Sequence, residues 1–368
     1  MGQTASPEYV QSAKAAGLRL LERPDSGIPL ASYEGRRCLI GTLAGGAGRS
    51  LLLNGHVDVV SPEPLDNWHY DPWAAEIVGR RMYGRGAYDM KCGLAACLAA
   101  VRAIVDSGTR LAGDVMIVSV ADEEEASLGM MDVLLHHTAD AAIVTEPTEL
   151  AMVMAHKGFC WIEVRTEGRA AHGSRWQEGV DANLRMGRVL RQLEELGAGL
   201  VLSDPHPVVG PPSLHAATLR GGSGWSTYAA SCTLQIERRT IPGETEASAV
   251  AQIQALLDAL AAEDPTFRAT VRPVLTRQAW EAQPGSRITE IVARAAQGVL
   301  GRAPELIGAP YWMDTSLLGA AGIDTIVFGP LGEGAHAAVE WVELESVRQT
   351  AEVLARAAIE FCGQAAGS

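Results

Sequence analysis

Three stretches of the chain carry short apolar runs: "RSLLLNGHVDVV" (49–60), "DVMIVSVA" (114–121) and "AAIVTEP" (141–147), the last stopped by Pro147. Runs of that length between turn residues predict buried strands. Between the first two, "CGLAACLAAVRAIVDSG" (92–108) carries apolar residues at helical spacing and ends at Gly108. Strands that are apolar on both faces and alternate with helices predict an α/β layer fold, a mixed and mostly parallel sheet with helices on both faces. Ligands in such a sheet gather at the carboxyl ends of the strands.

From about residue 158 the pattern changes. "FCWIEVRTEG" (159–168) alternates with period two, "GVDANLRMGRVLRQLEELG" (179–197) is an amphipathic helix, and "SLHAATLRGG" (213–222) and "YAASCTLQIERRT" (228–240) read as half-exposed strands. "EASAVAQIQALLDALAAE" (246–263) predicts a second helix and "FRATVRPVLT" (267–276) a closing strand. Strand, helix, two strands, helix, strand is the pattern of a small α+β open-faced sandwich. After "QPGSR" the alternation resumes with a helix over 288–301, a strand at 324–330 and a helix over 343–362. The simplest organisation is a larger domain of residues 1–157 and 277–368, with residues 158–276 inserted into it.

A net charge of −14 and only three lysines (Lys14, Lys91, Lys157) argue against nucleic acid or an anionic membrane as partner, since both need clustered positive charge. The six cysteines form no C-x-x-C pair and lie mostly in apolar segments, which fits core thiols in a reducing compartment. The first residues lack the features of a signal peptide, and no run approaches the length of a membrane span, so the expected location is the cytoplasm.

Polar residues are stranded where the apolar strands end. His56 and Asp58 lie two apart, on one face if the segment is extended; a carboxylate there suits an imidazole whose other nitrogen binds a metal. Asp89 stands just before the helix that starts near Cys92, the place of a helix cap or a ligand. "ADEEEASLG" ends a strand with four carboxylates, Asp122 to Glu125; "IVTEP" ends one with Glu146; "FGPLGEGAHAAVEW" places His336 in a glycine-rich loop after another. Unit charges of like sign about 4 Å apart cost roughly 4 kcal/mol per pair at an effective dielectric near 20. Two imidazoles with several carboxylates at one sheet edge therefore call for cations, and the number of donors suits two divalent ions sharing a bridging carboxylate.

"NGHVDVV", "YGRGAYDMKCGLAA", "ADEEEASLG", "VTEPT", "GRAAHGS", "ERRTIPGE" and "GAHAAVEWV" occur in that order. Over residues 37–365 the chain resembles the co-catalytic zinc hydrolases that include acetylornithine deacetylase, succinyl-diaminopimelate desuccinylase, aminoacylase and glutamate carboxypeptidase. The resemblance implies two zinc ions, replaceable by cobalt or manganese. His56, Asp89 and Glu146 would hold one ion and Asp89, Glu124 and His336 the other, with Asp89 bridging. It also implies that Asp58 orients His56 and that Glu123 is the general base for a zinc-bridging water. Residues 158–276 would be a lid and dimerisation domain of a homodimer, His172 would reach the partner's site, and Arg239 would hold a substrate carboxylate.

The implied activity is hydrolysis of an amide, with deacylation of an N-acyl amino acid first and a carboxypeptidase or dipeptidase reaction on a short peptide as the alternative; an inactive ligand-binding relative is a distant third. The sequence has no G-x-S-x-G elbow, Walker A loop or helix-opening G-x-G-x-x-G. It departs from the family's pattern in three places, and one register is open besides. The helix that relatives carry ahead of "EYVQSAKAAGLRLLE" is missing or shortened; Ser226 and Ala229 stand where many relatives have Asn and Pro; Trp176 and Asp181 replace a Pro and an Asn after His172; and the run of three glutamates leaves the ligand register open between Glu124 and Glu125.

Overall fold

The structure is a computed structural model that describes residues 19–23 and 37–365; most of the segment in which a shortened N-terminal helix is expected lies outside the described residues. In chain order the first strands are β1 (Arg19–Arg23), β2 (Cys38–Leu43), β3 (Leu51–His56), and the short pair β4 (Glu76–Val78) and β5 (Arg81–Tyr83). Helix α1 (Lys91–Asp106), β6 (Val115–Val120), α2 (Leu128–Leu134), β7 (Ala141–Val144) and β8 (Met152–His156) follow. Every residue of β3, β6 and β7 is buried, as strands covered on both faces must be.

The C-terminal part supplies α5 and the strands that close this sheet, after an intervening segment made of β9 (Gly158–Glu167), α3 (Ala182–Val201), β10 (Ser213–Gly221), β11 (Ser231–Thr240), α4 (Glu246–Glu263), β12 (Ala269–Arg277) and β13 (Trp280–Glu281). The remaining elements are α5 (Arg287–Leu300), β14 (Leu306–Ala309), α6 (Thr315–Ala320), β15 (Asp324–Phe328), β16 (Gly332–Glu333), β17 (Trp341–Glu343) and α7 (Leu344–Cys362). The described residues divide into two compact units, one of residues 19–23, 37–154, 282–307 and 313–365, the other of Ala155–Glu281 and Gly308–Trp312.

In the first unit the large sheet runs in the order β1-β2-β6-β3-β7-β15-β8. Its four central strands, β6, β3, β7 and β15, are parallel, while β1, β2 and β8 pair antiparallel at the sides. The expected mixed α/β sheet is thus the one found, with its parallel strands at the centre. Helix α1 packs against β3, β6 and α7, and α5 against β15, β7 and α7. Gly93 lets the first turn of α1 approach the end of β7, because a Cβ there would lie 2.1 Å from the Thr145 carbonyl oxygen. A second, small antiparallel sheet in the order β16-β17-β5-β4 has only two- and three-residue strands. Its β17–β5 pairing sets the loop between β16 and β17 beside the segment that follows β5.

The second unit is the antiparallel sheet β10-β11-β9-β12 with α3 and α4 packed against it. Period-two burial along β9 and β11 turns Cys160, Ile162, Val164, Leu234 and Ile236 toward Met186, Val189 and Leu193 of α3 and Ile253 and Leu257 of α4. Asp181 caps α3 by accepting the Asn183 and Leu184 backbone N–H groups, and Thr245 and Ser248 form a reciprocal cap on α4. This is the α+β open-faced sandwich that the sequence pattern predicts. The six cysteines are buried free thiols, and among the described residues no helix is long and apolar enough to cross a membrane.

Candidate metal centre

Parallel pairing of β6, β3, β7 and β15 puts their carboxyl ends at one edge of the sheet. His56 is the last residue of β3, the Asp122–Glu125 run follows β6, and Glu146 lies two residues past β7. The chain leaving β15 passes through β16 to the loop of His336. Asp89 ends the segment between β5 and α1. It does not cap the helix, since Met90 holds the cap position and no side chain bonds there, so the Asp89 carboxylate is free for other work.

The two histidines share that carboxylate. His56 Nε2 lies 3.2 Å from Asp89 Oδ1 and 3.5 Å from Glu146 Oε1, while His336 Nε2 lies 3.3 Å from Asp89 Oδ2 and 2.8 Å from Glu124 Oε2. Glu123 Oε2 is farther off, 3.9 Å from His56 Nε2. Among the described residues two groups of donors converge within 4.8 Å, one of His56, Glu123 and Glu146 and one of His56, Asp89 and Glu124.

The acidic run is folded so that its members point apart. Asp122 takes a left-handed backbone (φ 73°) and is buried, its carbonyl accepting the Ala126 and Ser127 N–H groups and its carboxylate the Leu128 N–H. The Glu124 N–H donates to Asp58 Oδ2 at 3.1 Å, and Glu125 is exposed. Of the two registers left open by the sequence, the geometry brings Glu124 to His336 and leaves Glu125 in solvent. Asp58 differs from expectation: its backbone carbonyl, 3.0 Å from His56 Nδ1, is the nearer partner, and its carboxylate Oδ1 is 3.7 Å away. The physical reason is that β3 ends at His56, so the alternation that would align the two side chains stops there.

The donor set fits divalent cations. Nitrogen and oxygen ligands about 2.05 Å from a tetrahedral ion are roughly 3.3 Å from each other, close to the separations around Asp89. The charges fit as well. Burial alone would depress the His56 imidazole, yet Glu146, Asp89, Glu123 and Asp58 together hold it well above its ordinary value. His336 is pushed up to about 10 by its hydrogen bonds to Asp89 and Glu124, against the effect of burial. Burial lifts Glu123 well above the carboxylate range despite His56, with Glu146, Asp314 and Glu124 adding to the rise, and burial lifts Glu146 likewise, with Asp89, Glu124 and Asp314 adding. Burial opposes the ionisation of Asp89, but His336 and His56 hold its carboxyl well below the usual range.

These shifts have a sign. A histidine raised in the fold stabilises it fully below pH 6.5 and loses that contribution as pH climbs toward the folded value, about 10 for His336. The raised Glu123 and Glu146 act in the same direction, and the lowered Asp89 contributes constantly above its ordinary titration range. The melting temperature of chelated protein is therefore expected to fall from pH 6.5 to 10. Calorimetric titration of that protein with zinc at pH 7, in buffers of different ionisation enthalpy, is expected to show a net release of protons as His56 and His336 become neutral ligands and the raised Glu146 an ionised one.

Two of the expected site residues belong to the second unit. His172 is exposed, its Nδ1 2.8 Å from Ser174 Oγ. Arg239 is 31% exposed and pairs with Glu237 Oε1 at 2.9 Å, whereas Arg238 is buried against Glu244 and the Arg239 carbonyl. The departures noted in the sequence also lie here. Asp181 supplies the α3 cap, a task at which aspartate equals asparagine. The Ser226 carbonyl accepts the Gly173 N–H at 2.8 Å, Ala229 is buried, and Trp176 is exposed. Also in the first unit, Asp314 is buried and its charge adds to the rise of Glu123 and Glu146, and Thr315, next in sequence at the start of α6, is buried as well. Sequence reasoning gave no role to Arg85 and Glu340, whose buried ion pair (2.7 Å) abuts the centre. Both stand inside quoted motifs, but nothing local signals a contact across 255 positions.

The sequence pattern of Peptidase family M20/M25/M40 matches residues 52–360. The chain belongs to this family. As a member of peptidase family M20 it is a metal-dependent hydrolase acting on carbon–nitrogen bonds. It is 31% identical over 325 residues to an acetylornithine deacetylase of Myxococcus xanthus, covering 86% of this chain and 82% of that protein. It is 27% identical over 363 residues to an N-formyl-4-amino-5-aminomethyl-2-methylpyrimidine deformylase of Bacillus subtilis (strain 168), with 90% and 84% covered. The fold is similar to that of a tripeptidase from Staphylococcus aureus subsp. aureus Mu50, with a TM-score of 0.79 at 20% identity, covering 97% of this chain and 92% of that one.

Proposed function

We propose that this M20 hydrolase removes the acyl group from an N-acyl amino acid, in the manner of acetylornithine deacetylase or succinyl-diaminopimelate desuccinylase. The observation that carries the reading is Asp89, which turns one carboxylate oxygen to His56 and the other to His336, with Glu123 nearby but outside the closest contacts. Two zinc ions, for which cobalt or manganese can substitute, would be held by His56, Asp89 and Glu146 and by Asp89, Glu124 and His336. When bound, they supply Lewis acidity that acidifies water and polarises an amide carbonyl.

The chain's own residues do the rest. Glu123 takes the proton of the attacking water and later hands it to the departing amine. Asp58 keeps His56 in place through its carbonyl, with its carboxylate close by. Arg239, less enclosed than Arg238, would bind the substrate carboxylate in a forked contact. Residues 158–276 would serve as lid and dimerisation domain, with His172 of the partner subunit donating a hydrogen bond to the oxyanion. The expected setting is the cytoplasm.

The test is amine release, detected with ninhydrin, from N-acetyl, N-succinyl and N-formyl amino acids and from dipeptides, in zinc or cobalt buffer. Release from a subset of the N-acyl amino acids, with dipeptides left intact, is expected. Release from dipeptides alone would replace the deacylase reading with a peptidase one.

A further inference from the structure

We infer that the buried ion pair of Arg85 and Glu340 is a positioning clamp that fixes the spacing between Asp89 and His336. The inference rests on the two-ion reading above and adds to it the residues that hold the second ion's ligands in register.

Glu340 has no exposed surface, and both of its oxygens are used. Oε2 accepts from Arg85 Nη1 (2.7 Å) and the Gly86 N–H (3.0 Å), and Oε1 from the N–H groups of Tyr88 (2.8 Å) and Asp89 (2.9 Å). One carboxylate thus gathers the backbone that ends in Asp89. Arg85 returns the link, its Nη2 donating at 2.8 Å to the carbonyl of Ala337, the residue after His336. The Gly84 N–H donates to the Glu340 carbonyl at 3.0 Å, and the Arg85 guanidinium lies 5.1 Å from the centre of the Trp68 ring. Every one of these hydrogen bonds joins the segment 84–89 to the segment 337–340; Asp89 ends the first, and His336 directly precedes the second.

His336 needs such support. Its backbone is left-handed (φ 60°), its side chain is 55% exposed, and Gly334 precedes it at φ 92°. A Cβ at Gly334 would lie 1.9 Å from the Val339 carbonyl oxygen, so the loop is tightly folded on itself, while Ala335, His336 and Ala337 are exposed. Stability alone is a poor reason for the pair, because apolar residues of similar volume commonly serve a buried site as well as an ion pair does. Apolar residues could not accept three backbone N–H groups and also anchor the opposite loop. The ion pair does both, and groups behind a ligand that orient it commonly change metal affinity by about 10- to 100-fold.

The test uses the full-length chain, chelated and then titrated with cobalt(II) chloride, followed by visible absorption, for wild type, Glu340→Gln and Arg85→Lys, with melting temperatures measured in parallel. Wild type is expected to take up two equivalents. Glu340→Gln should bind one equivalent as before and the second at least about tenfold more weakly, with an altered second-site spectrum. Its kcat should drop while KM stays within about twofold, and Arg85→Lys, which keeps the charge but loses the fork, should fall between. Two equivalents bound with unchanged affinity and spectrum in folded variants would overturn the clamp and leave the pair a structural one. If Glu340→Gln does not fold, Arg85→Lys decides by the same criterion. A wild type that takes up fewer than two equivalents would instead overturn the two-ion reading itself.

Discussion

Glu123→Gln is expected to keep its full complement of metal and to lose about a thousandfold in kcat, the scale of a lost general base. Glutamine preserves the shape of the side chain and cannot carry the proton. The metal analysis matters as much as the rate. His56, Glu123 and Glu146 form one of the two convergent donor groups, so geometry alone permits Glu123 to be a ligand. Its 3.9 Å separation from His56 Nε2, against 3.2 and 3.5 Å for Asp89 and Glu146, favours the base. Loss of an ion from the Glu123→Gln protein, measured by atomic emission after dialysis, would make it a ligand instead.

The second large effect is expected at Asp89. Its two oxygens face different imidazoles, so Asp89→Ala should weaken both sites by more than about a hundredfold and leave no measurable hydrolysis. Glu124, whose nearest imidazole among the described residues is His336 at 2.8 Å, gives the contrast: Glu124→Gln should weaken one site and spare the other. Equal loss from the two variants, in parallel metal titrations, would mean that Asp89 does not bridge.

Much of this centre was legible because the fold places strand ends and the sequence marks them. Continuous apolar runs announce β3, β6 and β7, and a polar residue directly after such a run has few places to go but the sheet's edge. The acidic run after β6 is explained the same way. Asp122 is spent on the turn, Glu125 on solvent, and Glu123 and Glu124 face the centre.

What was not legible depended on contacts without a local signature. The strands β4, β5, β16 and β17 are too short to show a period, yet their pairing brings the His336 loop to the Asp89 segment. The partnership of Glu340 with Arg85 is invisible for the same reason. Asp58 shows a different limit: a spacing of two implies a shared face only while the strand lasts, and this one ends at His56.

The most direct test of the two-ion centre is anomalous diffraction at the zinc edge from crystals of the zinc-loaded protein. Two peaks are expected, one among His56, Asp89 and Glu146 and one among Asp89, Glu124 and His336, with a different oxygen of Asp89 on each. A single peak, or two peaks that do not share Asp89, would contradict the account.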